Sequence, residues 1–362
     1  MRLGLDRHYF DSDSVVIATG ANFPDALAAS ALAGSKECPI VLTPPDELSD
    51  RTKLYLEWAK PTEAYIIGGE SAVSSEVEES LRGMGMETNR VFGADRYDTS
   101  LRVMEQVQGL SDTVIVATGK NYADTLSIGP WSYVSKSPVV LAGPDGRLSD
   151  DALQAIADGG FSNYLIVGGT LVVSPDVEDQ LADLNKLARL GGADRYETSR
   201  LIADWELSEG GMSCAHPFVA TGENFPDALA GASLSGAENS IMVLTGSSDI
   251  STLDVIFQNA DEVSEVSVLG GGKAVNALAY NALARRFGAE LETGWQEYAQ
   301  HWHYFDEEGN LLTGFRPSIA IRSSTRRHLQ PTSSTLMTTA RWSKMTSGLL
   351  GGRRTTSARM AT

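Results

Sequence analysis

Cysteine is nearly missing from this chain: Cys38 and Cys214 are its only two in 362 residues. They lie too far apart for a metal-ligand or CxxC spacing, so neither a disulfide framework nor a zinc site follows, and both read as small buried hydrophobes. No uninterrupted apolar run approaches the ~20 residues of a membrane-spanning helix. The opening residues, MRLGLDRHYFDSDS, lack the apolar core of a secretory signal. Positive charge is scarce, with 29 Lys and Arg against 47 Asp and Glu for a net −18. That balance argues against nucleic acid or an anionic membrane as partner, though it leaves room for a local basic pocket. The five histidines fall out of register, and no Thr-Gly turn has a neighbouring His to activate it as a nucleophile. No motif calls for a cofactor or a metal.

What the chain does have is a repeat. VVIATGANFPDALAAS (15–30) returns as VIVATGKNYADTLSIG (114–129) and FVATGENFPDALAGAS (218–233). The shared Ala-Thr-Gly turns start at Ala18, Ala117 and Ala220, 99 and 103 residues apart. Units of that length are small domains rather than solenoid turns. Each copy reads as a β-branched strand, a Gly turn and a small-residue helix. In the first unit the helix is expected over Ala26 to Ala33, stopped by Gly34. Pro39 to Thr43 reads as a strand buried on both faces, followed by a helix capped by Ser49 or Asp50. Ala64 to Gly69 gives a third strand ending in two glycines. A helix from Ser74, the phrase Gly93-Ala-Asp-Arg-Tyr97 and an amphipathic helix complete the unit. Alternating strand and helix predicts a parallel sheet covered on both faces, with right-handed crossovers that gather the post-strand turns along one edge.

The second unit repeats the plan, with Gly192-Ala-Asp-Arg-Tyr196 at its end. The third stops without that phrase. Near the front, Arg2 to Arg7 looks like a worn copy of Arg189 to Arg195. Tyr9 and Val15 are six positions apart, however, against seventeen between Tyr97 and Val114. About three helical turns are therefore expected to be missing there.

Four motifs in fixed order, ATGxNFPDALAAS, a PIVLT-like strand, GG-x-x-x-V-S and GADRYETS, closely resemble the cell wall binding repeat 2 modules of bacterial surface proteins, from about Arg2 to Ala289. The resemblance implies an α/β fold of three tandem Rossmann-like or Toprim-like modules about a pseudo-threefold axis. It also implies a non-catalytic, extracellular anchor that holds a surface protein on an anionic wall polymer. The modules are expected at 1–107, 108–207 and 208–292. In that family the strand end corresponding to Ile40-Val41-Leu42, Val139-Val140-Leu141 and Met242-Val243-Leu244 is implicated in polymer binding; these residues also fit the buried middle of a strand.

Polymer contact needs donors. Candidates at the strand ends are the backbone amides of Thr19-Gly20, Thr118-Gly119 and Thr221-Gly222, the side-chain amides of Asn22, Asn121 and Asn224, and the guanidinium groups of Arg96 and Arg195. Asp25, Asp124 and Asp227 in the adjoining helix turn read as caps, and the Asp-Arg pair of GADRY as a salt bridge at the unit junction. Rival readings are a wall-associated amidase-type hydrolase or its binding subunit, a Toprim-like phosphoryl-transfer enzyme, and an intracellular small-molecule binder with three equivalent sites.

Residues 293–315 change character. The aromatics and Gly-Asn turn resemble a single choline-binding or glucan-binding hairpin repeat, with Trp295, Trp302 and Tyr304 at the aromatic positions for a quaternary ammonium or a sugar. Residues 316–362 hold eight Arg, one Lys and no acid, so the rest of the chain carries 20 basic against 47 acidic residues. That basic tail is expected to be disordered, and its composition fits a frameshift, since an alternative frame for Ser334 to Gly348 can encode another acidic, aromatic wall repeat.

Overall fold

The computed structural model describes residues 10, 12–22, 25–270, 274–298, 301–312, 315–319 and 340–344. The chain divides into two units, Met1–Ala279 and Tyr280–Thr362.

The first unit opens with β1 (Ser14–Thr19), a 3₁₀ turn (Ala26–Ala28), α1 (Ala29–Ser35), β2 (Ile40–Thr43), α2 (Asp50–Ala59), β3 (Glu63–Ile67), α3 (Ser75–Gly83), β4 (Glu87–Val91) and α4 (Arg96–Gln106). The second module follows as β5 (Thr113–Thr118), α5 (Ala123–Ser135), β6 (Val139–Ala142), α6 (Asp150–Asp158), β7 (Asn163–Val167), α7 (Asp176–Gln180), β8 (Asn185–Leu190) and α8 (Arg195–Ser208). The third holds β9 (Ser213–Thr221), α9 (Pro226–Ala237), β10 (Ser240–Thr245), α10 (Leu253–Gln258), β11 (Ser267–Val268) and the start of α11 (Ala277–Phe287). The sheets are parallel, in the orders β2-β1-β3-β4, β6-β5-β7-β8 and β10-β9-β11. The expected α/β modules are thus present. The strands β4 and β8 are additions: their sequences ETNRV and NKLARL are too polar to announce a strand, and they pair as edges.

Local chemistry sets the helix starts. Ser49 Oγ accepts from Thr52 N at 3.1 Å, Ser149 Oγ from Ala152 N at 3.2 Å, and Ser74 Oγ from Val77 N at 3.4 Å, each satisfying one orphan amide of a first turn. Gly34 corrects the sequence reading. It lies inside α1, where a Cβ would fall 1.9 Å from the Tyr133 carbonyl oxygen of α5. Its role is to let two helices meet, and the chain turns instead after Lys36, at Glu37 with φ 51°.

That contact belongs to the centre of the unit. α1, α5 and α9 pack on one another, and each module's first helical segment also reaches an edge strand of another module: the 3₁₀ turn touches β6, α5 touches β10, and α9 touches β2. The ring closes about a pseudo-threefold axis. One apolar core runs through it, including Val16 and Leu32, Leu126 and Tyr133, Phe218 and Leu229.

The second unit contains β12 (Gly294–Tyr298), β13 (His301–Phe305) and β14 (Leu311–Leu312) in an antiparallel sheet, and β15 (Phe315–Ile319) paired antiparallel with β16 (Ala340–Lys344). Asn281 Nδ2 fastens the turn by donating to Glu292 O at 2.7 Å and Gly309 O at 3.1 Å. The remainder of the basic tail lies outside the described residues.

Candidate functional site

The three Ala-Thr-Gly turns are built alike. Thr19 Oγ1 accepts from Ala21 N at 3.1 Å, Thr118 Oγ1 from Lys120 N at 3.2 Å, and Thr221 Oγ1 from Glu223 N at 3.1 Å. The following glycine amides donate to the neighbouring strand: Gly20 to Thr43 O at 2.8 Å, Gly119 to Ala142 O at 3.4 Å, Gly222 to Thr245 O at 2.9 Å. Each turn therefore uses up the glycine amide that the sequence offered to a polymer.

The arginines of GADRY also look inward. Asp95 and Asp194 do not pair with Arg96 and Arg195; each caps its own helix, Asp95 Oδ1 accepting from Tyr97 N and Asp98 N, Asp194 Oδ1 from Tyr196 N and Glu197 N. An aspartate with extended backbone just before a helix meets orphan amides closer than its neighbour's guanidinium. Arg96 Nη1 donates to Gly119 O at 2.8 Å and Arg195 Nη1 to Gly222 O at 2.5 Å, so each clips the next module's turn.

The helical segments that carry Asp25, Asp124 and Asp227 start differently: Asp25, Tyr122 and Phe225 hold the cap positions, and none makes a side-chain cap hydrogen bond. Burial raises the pKa of all three aspartates; hydrogen bonds from the Thr99 and Thr198 hydroxyls oppose it at Asp25 and Asp124, as do the charges of Arg96 and Arg195. The same threonine oxygens accept from Gly93 N at 3.1 Å and Gly192 N at 3.0 Å. The Asp25 and Asp124 carboxyls thus tie their modules to the helices leading into the next.

The strand-end triplets are mostly floor. Ile40, Val41, Val139, Val140, Leu141, Met242, Val243 and Leu244 are buried, whereas Leu42 is half-exposed. The cause is cover: α4 lies on β6 and α8 on β10. The turns present Asn22 and Asn224, exposed, and Asn121, half-buried, beside the exposed Ala21, Lys120 and Glu223. Tyr122 bridges two turns, its hydroxyl donating to Glu223 O at 2.8 Å and its ring 5.7 Å from that of Phe225. The Arg195 guanidinium stands 5.7 Å from the Tyr122 ring centre, within cation–π reach. Tyr122 and Phe225 were not among the sequence candidates, although Phe23, Tyr122 and Phe225 follow the asparagine in every copy.

In the second unit Trp295 and Tyr304 face each other across the hairpin, ring centres 5.1 Å apart. Trp302 is in β13; its side chain lies outside the described residues.

With this geometry the chain matches the profile of cell wall binding domain 2 (CWB2) three times, over residues 5–78, 90–178 and 189–279. The chain belongs to the CWB2 family. Its three CWB2 modules are binding modules, and association with the cell wall follows from that membership. Curated relatives include the N-acetylmuramoyl-L-alanine amidase LytC of Bacillus subtilis (strain 168), 28% identical over 275 residues, covering 76% of this chain and 54% of LytC. The amidase enhancer of the same organism is 28% identical over 287 residues, covering 79% of this chain and 38% of its own length. Among solved structures, Cwp8 from Clostridium difficile superposes with a TM-score of 0.68 at 26% identity, covering 79% of this chain and 49% of Cwp8. Cwp6 from the same organism gives 0.66 at 21% identity, covering 74% and 43%, a likeness of fold. The CWB2 chain spans about half the length of LytC or less than half of the others.

Proposed function

We propose that the CWB2 triplet anchors this chain non-covalently on the bacterial cell wall, outside the cell, by binding an anionic wall polymer of teichoic-acid or acidic-polysaccharide type without turning it over. The observation that carries the reading is the threefold recurrence of one surface turn on modules that share a core. In this reading Asn22, Asn121 and Asn224 supply hydrogen bonds, while Lys120, Arg96 and Arg195 supply positive charge. Tyr122 and Phe225 offer aromatic faces between the turns. Thr19, Gly20, Thr118, Gly119, Thr221 and Gly222 fix the turn's shape, and the strand ends Ile40 to Leu42, Val139 to Leu141 and Met242 to Leu244 form its floor.

The test is co-sedimentation with purified cell walls across a salt series. Bound fraction is expected to fall as salt rises, and the triple variant Asn22→Ala/Asn121→Ala/Asn224→Ala to bind about tenfold more weakly, the loss of a few modest hydrogen bonds. Equal binding to walls stripped of anionic polymer would overturn the reading.

The names of two relatives, an amidase and an amidase enhancer, favour a second reading: the chain is the wall-binding part of a hydrolase or of its helper. Release of soluble muropeptides by the purified chain would support a hydrolase in place of a pure anchor. For the hairpin we propose capture of a choline or sugar group on Trp295, Tyr304 and Trp302, readable as quenching of tryptophan fluorescence by added choline or glucan.

A further inference from the structure

Among the described residues, every buried side-chain nitrogen or oxygen left without a hydrogen-bond partner falls on two elements that pack together. They are Asn121 Oδ1, Thr125 Oγ1 and Ser127 Oγ, on α5 and the turn that enters it, and both carboxyl oxygens of Glu206 on α8. The buried oxygens on the two helices stand where related positions are apolar. Ala26 and Ala228 stand where the second module has Thr125, Ala28 and Ala230 where it has Ser127, and Val107, just after α4, where α8 has Glu206. Unsatisfied polar atoms in a packed interior call for an explanation.

Glu206 is wholly enclosed by this joint. A Cβ on Gly210 would lie 2.8 Å from its Cα and 3.1 Å from Trp131 Cδ1, so the loop after α8 is pressed against both. Trp131 Nε1 closes that loop by donating to Gly210 O at 3.1 Å, and Met212 N donates to the Glu206 backbone carbonyl at 3.0 Å. The groups around the carboxyl carry no charge. α5 brings Trp131, whose backbone favours the charged form less than burial opposes it, and the loop brings Gly210 and Met212. On α8 itself Arg200 and Asp204 pair with each other at 2.7 Å, and Glu209, beyond its end, is exposed. An enclosed carboxyl of this kind is tolerated as the neutral acid; as an anion it must reach water or part the joint. A place to part lies close by, since Gly211 has φ 70° and open space around it.

We propose that Glu206 is a pH-operated latch on the α5–α8 joint: as the neutral acid it keeps the last turn of α8 closed on α5, and on releasing its proton to solvent it carries that turn and the Gly210 loop outward into water. Opening breaks the Trp131–Gly210 hydrogen bond and separates the Trp131–Trp205 pair. The clips of Arg195 on Gly222 O and of Ser199 on Leu244 N lie about three and two helical turns back, so α8 hinges at its end and stays docked at its start. Burial without a counter-charge delays the loss of the proton as pH rises, which puts the closed state on the acid side. The junction where Tyr122 reaches Glu223 O thereby has an acid-closed and an alkaline-open form.

The test is hydrogen–deuterium exchange of the full chain at pH 6 and pH 9, read by mass spectrometry as protection corrected for the intrinsic pH dependence of amide exchange. Segment 203–212 is expected to lose at least about tenfold in protection at pH 9, the change that one proton allows per pH unit beyond its release. Segments 113–118 and 195–200 should keep theirs. Glu206→Gln and Glu206→Val, the second copying Val107, should each hold 203–212 equally protected at both pH values, and either suffices if the other does not fold. Unchanged protection of 203–212 in the parent, the same loss in a folded variant, or a loss shared equally by 113–118 would each overturn the proposal.

Discussion

Glu206 is a costly side chain to bury in the first unit. It is fully buried in α8, neither carboxyl oxygen has a hydrogen-bond partner, and the Trp131–Trp205 pair packs edge to face beside it with centres 4.9 Å apart. Burial pushes its pKa well above the ordinary 4.5, opposed only in part by the Trp131 backbone, because a charge without partners in an apolar site is strongly disfavoured. A folded pKa raised above the unfolded one gives stability that is complete below about pH 4.5 and is lost as pH rises through the folded value. Glu206→Gln should remove that decline, which for one proton has a slope of at most about 1.4 kcal/mol per pH unit. Urea unfolding at pH 5 and pH 8 checks it: a variant whose loss of stability between the two equals that of the parent would refute the assignment.

At the scale of elements, small residues decide how closely helices approach. A Cβ on Gly34 would strike the Tyr133 backbone, one on Gly236 the Tyr133 ring at 2.6 Å, and one on Gly129 the Ala232 methyl at 2.8 Å. These three positions lie on α1, α9 and α5, the helices that meet at the axis. Gly34→Ala is expected to destabilise by about 1–3 kcal/mol, the cost of overpacking against a backbone that has no room to yield. Gly83→Ala, on α3 with nothing within 4 Å, should be neutral or stabilise by a few tenths of a kcal/mol through helix propensity. Thermal denaturation of the pair separates the effects, and an equal response from both would mean that the axis tolerates wider spacing. The repeat and its alanine-rich helices were legible in the sequence. Gly34 as a contact was not, because a glycine near a helix end gives the same local signal whether it stops the helix or admits a neighbour.

The first unit as a whole is a ring of modules with one continuous core. Each module's first helical segment and, at two junctions, its last helix bury part of another module's sheet. Cooperative melting follows: Leu126→Ala, a change in the shared core, should cost about 2–5 kcal/mol and shift the unfolding of all three modules together. Calorimetry that resolves a separate transition for the second module would show that the modules fold independently.

The sequence by itself determined the number of modules, the identity of the central strands and the serine caps. These follow from local periodicity, β-branched runs and first-turn hydrogen bonds, which act over a few residues. Only the tertiary structure decided which donors remain for a ligand. Arg96 and Gly119 are 23 residues apart, Ser100 and Leu141 41, Ser199 and Leu244 45. An arginine or a glycine amide looks equally available in sequence whether it faces solvent or a carbonyl of the next module. Polar groups buried at a junction must find partners there, so packing assigned Thr19, Gly20 and their counterparts to the turn, Arg96 and Arg195 to the clip, and left Leu42 half-exposed where Leu141 and Leu244 are buried.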